Sequence, residues 1–486
     1  MENDIRELEP KAVWNRFADL NAVPRASKKE GQVIRFMLDF GRSLGLETME
    51  DEVGNVIIKK KATRGMENRG TVVLQSHLDM VHQKNADTDF DFDTEGIQMY
   101  VDGDWVRARG TTLGADNGLG VAAIMALLES SNIPHPCLEA LFTIDEETGM
   151  TGAKGLKGGL LKGDILLNLD TEEDDEIDIG CAGGLDITAN GTYVEEKASP
   201  GFRAYLISIN GLNGGHSGMD IHKGLGNANK LMNSLLEKGH EDFDLRISRL
   251  HGGGLRNAIP RESTALITVK ASDADNFTLK FKEWAKGAKA EFAVTEPKLQ
   301  ITLGRAELPQ KVMGTKEQAG LLRAMKEAHN GVYAMSKTMD DLVETSNNIA
   351  KVSVENGSVR IACLTRSSVE SGKMELARQL RSVFEEAGFD VNLSGDYPGW
   401  NPDPDSDILK LLRSQYVAQF KKEPRVVACH AGLECGILGQ NYPKMDMVSF
   451  GPTIQGAHSP DERANIASVQ KFWKYLLGIL ENIPST

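Results

Sequence analysis

Apolar positions along the first 186 residues switch repeatedly between two periods. Residues 10–20 and 29–44 place apolar side chains every three to four positions, the spacing of an amphipathic helix. Residues 55–59, 71–76, 138–144 and 164–169 are short apolar runs of strand length, and 118–130 is a uniformly apolar helix. Helix alternating with buried strand argues for an α/β sandwich on a largely parallel or mixed sheet.

The pattern changes after Gly180-Cys-Ala-Gly-Gly184. Strands are expected at 204–210, 243–250, 264–271, 299–303, 350–354, 359–364 and 390–393. Helices are expected at 228–238, 276–288, 316–329 and 370–387. Together these read as two successive β/α modules with no strict sequence repeat. A Pro/Gly break follows at Tyr397-Pro-Gly-Trp-Asn-Pro-Asp-Pro404. Beyond it the first style returns, with helix 408–420, strands 426–428 and 445–450, and a closing helix 462–480. The expected organisation is one α/β domain, residues 1–186 and 397–486, interrupted by an inserted lid, residues 187–396.

At 486 residues the chain is too long for one ordinary core. Its formal charge of -15 argues against nucleic acid or an anionic membrane as partner. No apolar stretch reaches the length of a membrane span, and the opening Met1-Glu-Asn-Asp-Ile-Arg-Glu carries no basic-then-apolar export signal. The five cysteines are scattered without a C-x-x-C pair, which fits reduced, packed thiols in the cytoplasm.

The chemistry concentrates where strands end. His77-Leu-Asp79 closes the run 71–76, and residues i and i+2 of a strand share a side. An imidazole and a carboxylate held there suit a metal ligand and its orienting partner. Asp116 precedes the apolar helix, Asp145-Glu-Glu147 and Asp170 follow strands, and His458 lies in a loop after the strand ending at Phe450. Strand ends of one sense converge on one rim of an α/β sheet. Two histidines and several carboxylates there form a nitrogen/oxygen donor set suited to zinc, cobalt or manganese. Glu146 and Glu147 point opposite ways on extended chain, so one can bind metal while the other faces water. Spacing alone leaves open which does which.

The set His77-Leu-Asp79, Gly114-Ala-Asp116-Asn-Gly118, Asp145-Glu-Glu147, Asn168-Leu-Asp170 and Gly456-Ala-His458-Ser-Pro460 resembles the M20 family of co-catalytic metallopeptidases. The turn Gly214-Gly-His216-Ser-Gly218 and the tract Leu255-Arg-Asn257-Ala-Ile-Pro260 strengthen the likeness, which spans essentially the whole chain. The tracts 110–118, Glu344-Thr-Ser346 and His430-Ala-Gly-Leu-Glu-Cys-Gly436 resemble its bacterial, cytosolic Xaa-His dipeptidase branch. The resemblance implies a Zn-exopeptidase-like catalytic α/β sandwich interrupted by a large inserted lid. It implies two divalent ions, Zn2+ first, with Co2+ or Mn2+ as alternatives. His77, Asp116 and Asp170 would bind one ion and Asp116, Glu147 and His458 the other, with Glu146 as general base and Asp79 behind His77. The lid His216 would assist the oxyanion, while Arg366 and Asn257 would hold the substrate carboxylate.

The implied reaction is hydrolysis of dipeptides, preferentially Xaa-His, in the cytoplasm. The doubled lid suggests an active site complete within one chain and leaves a homodimer open. An N-acyl amino acid deacylase, or a broader di- or tripeptidase, is the neighbouring alternative. A non-catalytic metal- or ligand-binding protein is the alternative of another class, and Glu146 argues against it.

Overall fold

The computed structural model describes residues 4–485; Met1 to Asn3, read above with the N-terminal segment, lie outside them. The chain divides into two compact units. The first runs to Gly180 and includes Pro402–Ala428 and the chain from Leu433 onward; the second comprises Cys181–Asn401 and Cys429–Gly432.

The first unit is built on eight strands: β1 (Glu47–Glu50), β2 (Val56–Lys60), β3 (Val72–His77), β4 (Leu138–Thr143), β5 (Ile165–Asn168), β6 (Glu176–Cys181), β7 (Arg425–Cys429) and β8 (Asp446–Ser449). Their spatial order is β1-β2-β4-β3-β5-β8-β6-β7. The central four, β4, β3, β5 and β8, are mutually parallel, while β1, β2 and β6 pair antiparallel with their neighbours. A sheet of this kind is covered on both faces, which is why β3 and β4 are buried at every position.

Helix Ala115–Glu129 is buried along nearly its whole length, as expected of a helix apolar all round. Asp116 and Asn117 at its start are non-helical, so the regular turns begin where the apolar run does. Gly114 just before it has φ 68°, and a Cβ there would lie 2.5 Å from the Arg25 guanidinium. Positive φ and this close approach both demand glycine.

The second unit carries a nine-stranded antiparallel sheet. Eight strands follow the order Gln300–Ala306, Phe202–Asn210, Ser263–Lys270, Arg246–Gly252, Val343–Glu355, Ser358–Ser367, Gly183–Thr192 and Asp390–Tyr397, and Gly331–Met335 pairs with Val343–Glu355. The two β/α stretches of the sequence therefore contribute to one continuous sheet. Helices Ala228–Phe243, Ala274–Glu291, Thr315–Glu327 and Glu370–Glu386 send Met232, Phe277, Leu321 and Leu380 into one core with Ile207, Ile267, Ile349 and Ile361 from the strands.

Two of the differences from the sequence expectation have a local physical cause. Residues 463–465 do not open the last helix: Arg463–Asn465 is a strand paired with Trp105–Ala108, and the Asn465 side chain caps helix Ile466–Glu481 by accepting the Ser468 N–H. Phe243 ends a helix rather than starting a strand, because Asp244 adopts a left-handed conformation there.

Candidate metal centre

The parallel strands position the site. β3 ends on His77, β4 runs into Asp145-Glu146-Glu147, β5 into Asp170, and β8 into the loop bearing His458. Asp116 enters from the residues after Gly114. The structure brings all five expected metal-binding side chains together. His77 Nε2 lies 3.2 Å from Asp116 Oδ1 and 3.4 Å from Asp170 Oδ1. His458 Nε2 lies 3.2 Å from Asp116 Oδ2 and 3.0 Å from Glu147 Oε2. Asp116 thus offers one oxygen to each of two triads, and within each triad the donor atoms lie within 4.8 Å of one another.

Two observations test whether a cation fits. Glu147 Oε1 and Asp170 Oδ1 are buried without a hydrogen-bond partner, and such an orphan costs about 1–3 kcal/mol. Burial also raises the pKa of both carboxyls, with neighbouring carboxylates adding to it against the pull of the histidines. A divalent cation removes both penalties, and the nitrogen/oxygen donor set suits zinc, cobalt or manganese.

Asp79 is fully buried behind this cluster. His77 Nδ1 is 3.1 Å from the Asp79 carbonyl oxygen and 3.4 Å from its Oδ1, so the ring presents Nε2 to the site. The Asp79 carboxylate serves more than the imidazole. It accepts the Ser27 hydroxyl at 2.8 Å and the backbone N–H groups of Glu146 at 3.0 Å and Glu147 at 3.3 Å. One carboxylate therefore fixes both His77 and the turn that aims the two glutamates. Glu146 is half-buried, and its pKa stands well above the usual carboxylate range. Burial is the main cause; Asp170, Glu434 and Glu147 add to it, and His77 opposes it.

Three supporting residues escaped the sequence reading. Glu462 accepts the consecutive backbone N–H groups of Leu113, Gly114, Ala115 and Asp116 at 2.7, 2.9, 2.8 and 3.2 Å. The fully buried Arg25 donates to the carbonyls of Leu78, Asp79 and Gly114. Glu434 accepts from Gln75 and Thr143, two residues before His77 and Asp145 respectively. Glu462 lies four residues beyond His458 in the same loop tract and Glu434 within the tract 430–436 quoted above, while Arg25 stands in no such tract.

The second unit holds a separate polar cluster. His216 Nδ1 accepts the N–H groups of Gly218 and Met219 at 3.3 and 3.1 Å, so the ring proton sits on Nε2. Burial, then Arg366, pushes its pKa down to about 4, which keeps it neutral. Arg366 is 4% exposed; its guanidinium reaches Tyr397 Oη at 3.0 Å and Ser217 Oγ at 3.4 Å, and lies 3.4 Å from His216 Nε2. Two N–H donors converging with no carboxylate paired to them among the described residues make a site that an anion satisfies. Asn257 is exposed, and its carbonyl accepts the Ser217 N–H at 2.7 Å in the same turn. His430, quoted above only as part of a tract and given no role, joins this cluster with Nε2 2.8 Å from Ser346 Oγ.

Residues 73–482 match the model of peptidase family M20/M25/M40. The chain is 44% identical over 483 residues to the cytosol non-specific dipeptidase of Escherichia coli, covering 99% of this chain and 100% of that one. It superposes on the crystal structure of an aminoacylhistidine dipeptidase from Vibrio alginolyticus with a TM-score of 0.93 at 43% identity, covering 100% of this chain and 99% of that one. Aminopeptidase PepT from Bacillus cereus, at 16% identity and a TM-score of 0.57 over 98% of this chain and 99% of that one, shares the fold. With its strand-end histidines and carboxylates in the arrangement described, the chain belongs to peptidase family M20/M25/M40.

Proposed function

We propose that the protein is a cytoplasmic, metal-dependent dipeptidase with a preference for Xaa-His substrates. The observation that carries this reading is the pair of triads sharing Asp116, with the half-buried Glu146 beside them. The full-length likeness to two proteins named as dipeptidases supports the substrate class, and the name of the Vibrio protein supports the histidine preference.

In this reading His77, Asp116 and Asp170 would hold one divalent ion and Asp116, Glu147 and His458 a second. Such ions supply Lewis acidity to the scissile carbonyl and acidify water. Glu146 accepts the proton of the attacking water at its carboxylate and passes it to the departing amine. Asp79 keeps the His77 ring and the Glu146 backbone in place throughout. His216, with its proton on Nε2, donates to the developing oxyanion. Arg366 pairs with the free C-terminal carboxylate, which separates free peptides from C-terminally blocked ones, and Asn257 adds a hydrogen bond.

A panel of dipeptides with free and blocked termini, β-Ala-His included, tests the substrate class. Xaa-His substrates should give the highest kcat/KM. A preference for N-acyl amino acids would replace this reading with the deacylase one. A flat profile would favour the broader dipeptidase that the E. coli name describes.

Two variants probe the parts. Asp79→Ala should lower metal affinity or activity by about 10–100-fold, the usual cost of losing the partner behind a ligand histidine. Arg366→Ala should raise KM by about 10–100-fold, since hydrogen bonds to charged groups contribute about 1.5–3 kcal/mol. A C-terminally amidated dipeptide should lose the same factor with wild type and nothing further with the variant. Equal KM values for wild type and variant on free dipeptides would remove Arg366 from carboxylate binding.

A further inference from the structure

A row of polar side chains crosses the first unit's sheet directly beneath the metal-binding residues. Gln75 on β3, Asn168 on β5, Ser449 on β8 and Asp178 on β6 are successive register partners across four neighbouring strands. Registered partners present side chains on one face, and Gln75 and Asn168 stand two positions before His77 and Asp170 on that face. Every member is buried: Gln75, Asn168 and Ser449 are at 0% exposure and Asp178 at 7%. An apolar row would be the ordinary choice there, because each buried polar group is costly unless satisfied.

The hydrogen bonds join these side chains end to end. The Ser449 hydroxyl donates to Asn168 Oδ1 at 2.5 Å, and Asn168 Nδ2 donates to Gln75 Oε1 at 2.5 Å. Gln75 Nε2 donates to Glu434 Oε2 at 2.6 Å, and the Thr143 hydroxyl donates to the same oxygen at 2.7 Å. At the other end Ser449 Oγ is 2.8 Å from Thr171 Oγ1, which is 2.7 Å from Asp178 Oδ2.

With the Asn168 and Gln75 amides oriented as above, counting protons along this row leaves one solution. Each hydroxyl has a single proton to give. Ser449 spends its own on Asn168, so the proton between Ser449 and Thr171 must come from Thr171. Thr171 then has none left for Asp178, and the 2.7 Å contact between them is a hydrogen bond only if the Asp178 carboxyl supplies the proton.

We propose that Asp178 is an un-ionised carboxylic acid and a positioning residue, the terminal donor of a one-directional hydrogen-bond row that runs through Thr171, Ser449, Asn168 and Gln75 to Glu434. All its donors point the same way, from Asp178 toward Glu434. The row ties Thr171, the residue after Asp170, to β8 and β6, and it locks the amides beneath His77 and Asp170 in one orientation. It stabilises the strand ends that present two of the metal-binding residues. Burial of Asp178, which outweighs the Thr171 contact and pushes its carboxyl up to about 7, agrees with the proton count. Glu434, the acceptor end, is likewise pushed up to about 7 by burial, and its Oε1 has no hydrogen-bond partner.

The test compares Asp178→Asn with Asp178→Val in the full-length protein. An asparagine amide donates to Thr171 as the un-ionised acid does, so Asp178→Asn should fold and bind Zn2+ as wild type. Asp178→Val removes the terminal donor and should weaken Zn2+ binding by about 10–100-fold, as losses behind a ligand do. Should Asp178→Val fail to fold, the infrared difference spectrum between wild type and Asp178→Asn decides alone. At mildly acidic pH it should contain the carbonyl stretch of one un-ionised carboxylic acid. An Asp178→Asn protein as impaired as Asp178→Val overturns the proposal. So does a difference spectrum without that band, or a band that disappears in Glu434→Gln instead, which would mean the row runs the other way. None of these readouts needs a substrate, so they stand or fall separately from the dipeptidase reading.

Discussion

Glu146→Gln is expected to bind divalent metal like the wild type and to hydrolyse dipeptides slower by about 10²–10⁴-fold, the usual contribution of a positioned general base. The replacement is nearly isosteric. The Glu146 backbone N–H stays bound to Asp79 Oδ1 at 3.0 Å, so the turn should keep its shape. What is lost is a carboxylate able to accept a proton. Metal analysis of the purified variant beside steady-state rates makes the distinction. Glu147→Gln should instead lose metal, because Glu147 Oε2 faces His458 at 3.0 Å and its other oxygen is an unpartnered buried acceptor. Unimpaired turnover by Glu146→Gln with a full metal complement would remove Glu146 as the base.

Removal of metal by a chelator is expected to abolish activity and to lower thermal stability. Asp116, Glu147 and Asp170 crowd around two imidazoles, with Glu146 beside them. Without a cation, that much negative charge stays compensated only in part by the histidines. A ligand that binds the folded state alone adds about 2.7 kcal/mol at a hundred times its Kd. Calorimetry on apo and reloaded protein should therefore show a higher melting temperature with Zn2+, Co2+ or Mn2+, and activity should return with the ion. Full activity in protein verified to be metal-free would overturn the metal-dependent reading, and an unchanged melting temperature would place the ions outside these triads.

The parts of the site that were legible in the sequence share a property: their chemistry conflicts with their surroundings. His77 and Asp79 end an apolar run, and Asp145-Glu-Glu147 and Asp170 end two more, so each stands out against a strand's expected composition. Glu146 and Glu147 show where that reasoning stops. Alternation gives them different directions, but which one meets His458 depends on the turn that Asp79 imposes. Arg25 carries no local signal of its role, and Glu462 only its closeness to His458, since most of their partners are backbone groups 53–89 and 346–349 residues away. Strand β1, Glu-Thr-Met-Glu, passed unread because an edge strand with no buried position has no apolar run to announce it. Gln75 and Asn168 read in the sequence as part of the strands they interrupt, and only register shows that they lie in one row with Ser449 and Asp178.

The alternation of helix and buried strand, the likeness to a family, and the residue types gathered at the strand ends are all readable from the chain alone. These depend on short-range periodicity and on motifs a few residues long. The tertiary structure decided what depends on distance. It put Asp116 between two histidines, one 39 and the other 342 residues away. It set His216 against Arg366 across 150 residues as two donors with no acceptor between them. Parallel register decides the first case, because strand ends meet only once strand order is set. In the second, antiparallel pairing carries Arg366 along its strand to the turn that holds His216. Pairing over such separations is a property of the folded chain, and no local pattern encodes it.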